Sequence, residues 1–131
     1  MSKIRVLLAD DHQAIVERVC GLLGEDFEIV GTVNNGRDAV QATCRLKPDV
    51  LVMDISMPVL NGLQAALQLR SAKVATKIVF LTVHTGEDFV KAALSTGASG
   101  YITKAEVATD LIPAIHEALA GRTFVSSSIT T

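Results

Sequence analysis

The sequence predicts an α/β domain in which five strands alternate with five helices, a (βα)5 chain folded as a doubly wound parallel sheet. Two observations predict it. Short, almost continuous apolar runs recur, and each is followed by a helix-length stretch with apolar residues three and four positions apart. The first, third and fourth runs are also apolar at odd and even positions alike, as strands covered on both faces must be, whereas half-exposed antiparallel strands alternate.

The first strand is Ile4 to Ala9. Gln13 to Leu23 then brings Ile15, Val19, Leu22 and Leu23 onto one helical face. Glu28 to Val33 is the second strand, and Gly36 to Leu46 is a helix that turns Ala39, Val40, Thr43 and Leu46 inward until Pro48 stops it. Val50 to Met53 is the third strand, and Asn61-Gly62 opens a helix running to about Arg70. Lys77 to Leu81 is the fourth strand, followed by a helix from Gly86 to Ser95 that carries Phe89, Ala93 and Leu94 and ends at Gly97. Gly100 to Ile102 is the fifth. Proline costs about 3 kcal/mol inside a helix but nothing in its first turn, so Pro113 places the start of the last helix near Thr109, as its cap, and its end at Gly121. Residues 122–131 are rich in Ser and Thr, hold one charged residue and show no periodicity. They read as a linker rather than a fold element, so residues 1–121 form the domain and 122–131 begin a connection to an output domain absent from this chain.

A chain of 131 residues fits one domain. Its formal net charge of -2 supplies no basic field, so these residues do not hold nucleic acid by neutralising phosphates. The apolar run near the N-terminus ends at Asp10-Asp11, too early for a signal peptide, and none reaches the length of a membrane span. A cytoplasmic location is expected. Cys20 and Cys44 sit in helical patterns without metal-ligand spacing and read as reduced, partly buried thiols.

In open sheets of this kind ligands bind beyond the carboxyl ends of the strands. Strand one ends in Asp10-Asp11, strand three in Asp54, strand four in Thr82 and strand five in Thr103-Lys104, so every reactive side chain gathers at one edge. Three carboxylates that close repel one another unless a cation sits among them. An open set of oxygen ligands suits Mg²⁺, with Asp11 and Asp54 as direct ligands, Asp10 through water and the Ser56 backbone carbonyl as a third donor. Carboxylates, a lysine, a hydroxyl and Mg²⁺ are the parts that phosphoryl transfer uses. Asp54 is the candidate nucleophile and phosphoacceptor, Lys104 balances the phosphoryl oxygens, and Thr82 hydrogen-bonds one of them. Taken singly, each residue has a plainer reading. Asp10-Asp11 equally well starts a helix, Asp54 fits a turn before Met57-Pro58, Thr82 a strand-end hydroxyl, Lys104 a solvated surface position and Tyr101 a packing residue. Their joint placement favours the site. His12 flanks the acidic pocket, and His84 and His116 read as ordinary, partly exposed residues.

Leu8-Ala9-Asp10-Asp11-His12, Asp54-Ile55-Ser56-Met57-Pro58 with Asn61-Gly62, Leu81-Thr82, and Gly97 through Lys104 together resemble response-regulator receiver domains, over residues 3 to about 121. Asp-Asp-His and the Ser/Thr-rich tail resemble the LuxR-type (NarL/FixJ) regulators. The resemblance implies a flavodoxin-like fold with strand order 2-1-3-4-5, a sensor histidine kinase as phosphoryl donor, Tyr101 as switch aromatic beside Thr82, and a switching face made by helix four, strand five and helix five. It further implies a homodimer on phosphorylation, slow self-dephosphorylation without turnover of an external substrate, and DNA contact only through a LuxR-type output domain. A stand-alone regulator acting by protein contacts is the alternative. Many receivers carry proline after the lysine, where this chain has Ala105.

Two further classes fit less well. A haloacid-dehalogenase-like phosphatase needs an Asp two residues after the nucleophile as acid and base, and Ser56 stands there. A flavodoxin-like FMN carrier needs a Ser/Thr/Gly-rich phosphate loop after strand one, where Asp10-Asp11 stand, and aromatic residues to flank the flavin, which are scarce.

Overall fold

The apolar runs pair into one parallel sheet, in a computed structural model that describes residues 3–129. The elements are β1 (Ile4–Ala9), α1 (Gln13–Leu23), β2 (Phe27–Val33), α2 (Gly36–Leu46), β3 (Val50–Met53), α3 (Gly62–Ser71), β4 (Lys77–Thr82), α4 (Glu87–Ser95), β5 (Gly100–Thr103), α5 (Val107–Leu119) and β6 (Phe124–Val125). Short 3₁₀ turns at Gly24–Asp26 and Lys104–Glu106 join α1 to β2 and β5 to α5. The strand order is β2-β1-β3-β4-β5-β6, which keeps the expected 2-1-3-4-5 and adds a sixth strand beside β5.

Alternation along the strands divides the interior in two. Leu7, Ala9, Leu51, Met53, Phe80 and Tyr101 face one side and pack with Ala39, Ala65, Leu69, Val90 and Ala93 of α2, α3 and α4. Val6, Leu8, Val50, Val52, Leu81 and Ile102 face the other and pack with Val19, Leu23, Leu111 and Ile115 of α1 and α5. The apolar runs are continuous because each strand feeds two cores.

Helix boundaries follow local chemistry. The Asn35 side chain accepts from the Asp38 N–H at 2.8 Å and starts α2. Asn61 and Gln64 form a reciprocal capping box that starts α3. Gly97 (φ 90°) follows the end of α4 and Gly121 (φ 82°) the end of α5. Among the described residues no helix is long and apolar enough to cross a membrane.

Four expectations are corrected. The last helix begins at Val107, behind the 3₁₀ turn, and Thr109 lies inside it with its hydroxyl on the Glu106 carbonyl at 3.2 Å. Pro113 is therefore an interior residue of α5. It is tolerated because Pro113 and Thr109 are both exposed, and water can serve the Thr109 carbonyl that lacks its helical donor. In α4 the inward face is Val90 and Ala93, while Phe89 is turned out and stacks on His84 with ring centroids 4.1 Å apart. The tail after Gly121 is not free of structure. β5 would otherwise leave a row of unpaired backbone groups, and instead Phe124 N–H donates to the Ser99 carbonyl and Ser126 N–H to that of Tyr101, both at 3.0 Å. Two residues are too short a strand for periodicity to reveal. Cys20 is half-buried as expected, whereas Cys44 is exposed on α2, and both are free.

The loop after β3 packs against the start of α3 without room for a side chain. A Cβ on Gly62 would stand 2.1 Å from the Asp54 carbonyl oxygen, and one on Gly36 would stand 2.0 Å from that of Leu60. The contacting atoms are backbone and cannot swing away. Gly62→Ala is therefore expected to destabilise the fold by about 1–3 kcal/mol through overpacking, read as a lower urea midpoint in equilibrium unfolding, whereas exposed Gly21→Ala should lower nothing.

Candidate functional site

The sheet's hydrogen-bond ladder carries on one residue past the strands and sets two carboxylates at its carboxyl rim. Asp10 N–H donates to the Val33 carbonyl and Asp54 N–H to that of Ala9, each at 3.0 Å. Both side chains are buried. From the end of β5 the Lys104 ammonium reaches across, and Nζ stands 3.0 Å from Asp10 Oδ2 and 3.0 Å from Asp54 Oδ2. Residues distant in sequence thus meet at the rim.

Each carboxylate has further partners. Asp54 Oδ1 accepts from the Ile55 N–H at 2.7 Å. Asp10 Oδ1 accepts from the His12 N–H at 2.8 Å, while its buried Oδ2 has no aligned hydrogen-bond donor and faces only the Lys104 charge. The first helix has no side-chain cap at its start, so the rim, and not a helix cap, occupies Asp10. Burial of the Lys104 ammonium works to lower its pKa, but its hydrogen bond to Asp54 and the negative charges of Asp54 and Asp10 outweigh it, and the pKa lies above the ordinary lysine value. This lysine is a fixed cation.

Asp11 is exposed at the mouth of the cluster. His12, expected only to flank the pocket, turns Nδ1 into it, 3.1 Å from Asp10, 3.3 Å from Asp11 and 3.2 Å from Lys104 Nζ. One ligand atom each from Asp10, Asp11, His12 and Asp54 lie within 4.8 Å of one another. Three carboxylates face one ammonium, and one buried carboxylate oxygen lacks a donor, so the oxygen-rich set fits a hard divalent cation and can hold a metal ion.

Thr82 ends β4 fully buried, and its hydroxyl oxygen accepts from the His84 N–H at 3.2 Å. The Tyr101 ring is already buried, tilted against Phe80 with centroids 6.5 Å apart, and its hydroxyl donates to the His84 carbonyl at 2.7 Å. Ser56 is exposed, and its hydroxyl shares a 2.7 Å hydrogen bond with His84 Nε2. His84, read from sequence as an ordinary residue, is therefore a junction. It meets Thr82 and Tyr101 through its backbone and Ser56 and Phe89 through its ring. The available signal was its position two residues past Thr82, on the same rim. Cavities of about 500 and 610 Å³ open instead around Val74–Lys77, at the amino end of β4, and Asp10, Asp11 and Asp54 line neither.

Burial first, and then the negative charge of Asp54, push the Tyr101 hydroxyl up to about 12. Tyr101 is the sole tyrosine and the chain has no tryptophan, so its ionisation can be followed directly by ultraviolet absorbance. The native midpoint is expected near pH 12 and the denatured one near 10. Because the folded state holds this proton more tightly, the corresponding stability is complete below about pH 10 and is lost as pH rises through the native pKa. A native midpoint equal to the denatured one would contradict the buried placement.

The family model for the response regulator receiver domain matches residues 6–116. The transcriptional regulatory protein DegU of Brevibacillus brevis is 35% identical over 131 residues, which cover 98% of this chain and 56% of DegU. The nitrate/nitrite response regulator protein NarL of Escherichia coli K12 is 35% identical over 95% of this chain and 59% of NarL. The chain thus spans a little over half the length of these relatives. Among solved structures, a LuxR-family two-component response regulator from Aurantimonas sp. SI85-9A1 superposes with TM-score 0.91 at 32% identity, covering 98% of this chain and 93% of that one. The response regulator domain of Thermotoga maritima CheB gives TM-score 0.83 at 32% identity, over 91% of this chain and 98% of that one. With the family pattern running through both cores and the acidic rim, the chain belongs to the response regulator receiver domain family, as a signalling domain related to the NarL/LuxR-type regulators.

Proposed function

We propose that this receiver accepts a phosphoryl group on Asp54 from a sensor histidine kinase and passes the change to a LuxR-type DNA-binding output domain. One observation carries the reading: Lys104 Nζ stands 3.0 Å from Asp54 Oδ2 and 3.0 Å from Asp10 Oδ2, at a rim that also holds Asp11. In the transfer, a carboxylate oxygen of Asp54 bonds to phosphorus, the bond from phosphorus to the donor breaks, and the electron pair leaves with the donor. Asp11, Asp54 and the Ser56 backbone carbonyl would hold Mg²⁺, with Asp10 acting through water. When bound, the ion supplies charge neutralisation and alignment for the phosphoryl oxygens.

Lys104, already poised on Asp54, balances one phosphoryl oxygen. Thr82 turns its hydroxyl to another and gives up its contact with the His84 N–H. Tyr101 is the switch aromatic. Its ring already lies inward with the hydroxyl on the His84 carbonyl, so it holds the segment after β4 that Thr82 frees. The surface formed by α4, β5 and α5 carries the change to an output domain or to a second copy of the chain. Moving such an equilibrium from 1:99 to 99:1 takes about 5.5 kcal/mol of differential stabilisation, so each of these hydrogen bonds matters to the response. Residues beyond 121 lead toward the output domain, in keeping with the length of DegU and NarL.

Incubation with acetyl phosphate, followed by intact mass, tests the reading. The wild type should gain the mass of one phosphoryl group with Mg²⁺ and not without it, and Asp54→Asn should gain none. Lys104→Ala should slow the gain by a factor on the order of a hundred, as loss of one preorganised donor does. A wild type that stays unmodified in Mg²⁺ would overturn the assignment.

A further inference from the structure

We propose that residues 122–129 form a strap that senses the state of the Asp54 rim and loosens when the rim is phosphorylated. The inference rests on Asp54 being the acceptor. Its basis is where the strap is fastened. Ser126 N–H donates to the Tyr101 carbonyl at 3.0 Å, and Ser126 Oγ accepts from the Thr103 N–H at 3.2 Å while donating to Asp110 Oδ2 at 2.6 Å. Glu106 binds the hydroxyls of Thr103, Ser127 and Ser128. The fastening points 101, 103, 106 and 110 therefore bracket Lys104, the residue that holds Asp10 and Asp54. Ile129 then tucks into the same core as Tyr101 and Val90.

The strap is held well enough to be ordered and weakly enough to leave. Phe124 and Val125 make a two-residue strand, Ser127 and Ser128 are exposed, and only Ser126 and Ile129 are buried. Such a segment belongs to the part of a fold that opens at low cost. A phosphoryl group on Asp54 puts new volume and charge where Lys104 Nζ now lies, so the ammonium must withdraw onto the new oxygens. The Lys104–Glu106 turn is a direct continuation of that side chain's backbone. Glu106 moves with it, and the serines lose their common acceptor.

Hydrogen exchange of the full chain, with and without acetyl phosphate and Mg²⁺, reads the strap, and intact mass on the same samples reads the phosphoryl group. The amides of Phe124 and Ser126 should exchange several times faster in the phosphorylated protein, with α1 unchanged. Phosphorylated protein with unaltered or slower exchange at 124–129 would overturn the strap and leave Asp54 as acceptor. Absence of the phosphoryl mass would overturn both readings.

Coupling is reciprocal, which gives a second readout that a merely structural contact would not move. Glu106→Ala should loosen the strap in the unmodified protein and tighten binding of beryllofluoride, a reversible phosphoryl mimic. Glu106→Gln, which keeps an oxygen acceptor, should lie between it and wild type. Faster exchange at the strap in Glu106→Ala with unchanged beryllofluoride affinity would rule the coupling out.

Discussion

Two carboxylates are buried at the rim of this sheet, and one ammonium makes that possible. Lys104 Nζ stands 3.0 Å from Asp10 and 3.0 Å from Asp54, where an unpaired buried charge would cost several kcal/mol. The arrangement is balanced but not complete. Asp10 Oδ2 has no aligned donor, and Asp11 adds a further negative charge at the mouth. The rim is thus folded around a shortage of positive charge, which is the condition for taking up a cation.

The rest of the fold delivers the partners of that interaction to one place. Parallel pairing points every strand's carboxyl end the same way, and the ladder bonds from Asp10 to Val33 and from Asp54 to Ala9 fix where each carboxylate begins. Two cores clamp the sheet from both sides, so the rim rests on a rigid base. Close contact at Gly62 then folds the segment after Asp54 back against α3, leaving the carboxylate at a sharp exit from the strand.

Around this base lie two segments of a softer kind. The segment after β4 hangs on His84, which gathers Thr82, Tyr101, Ser56 and Phe89 through hydrogen bonds and one ring stack. The segment after α5 hangs on Glu106, Asp110 and the edge of β5. Both are fastened largely by polar contacts next to residues of the rim, with Ile129 the one buried apolar anchor of the second, whereas the helices are held by apolar packing. A change of charge at Asp54 therefore has short paths to each of them and little leverage on the core.

The sequence by itself determined the five strands and the five helices that separate them. Apolar periodicity reports burial, and Asn61-Gly62, Gly97 and Gly121 mark helix ends by local chemistry. It also placed Asp10, Asp11, Asp54, Thr82 and Lys104 at one edge, because in a parallel sheet the strand ends share a side. Only the tertiary structure decided the inward turn of His12, the junction at His84, the start of α5 ahead of Pro113, the outward turn of Phe89 and the attachment of residues 124–129. Most of these depend on a partner distant in sequence or on access to water at one position, and the turn of Phe89 on a ring stack with His84 in the preceding loop, none of which leaves a periodic trace in the chain.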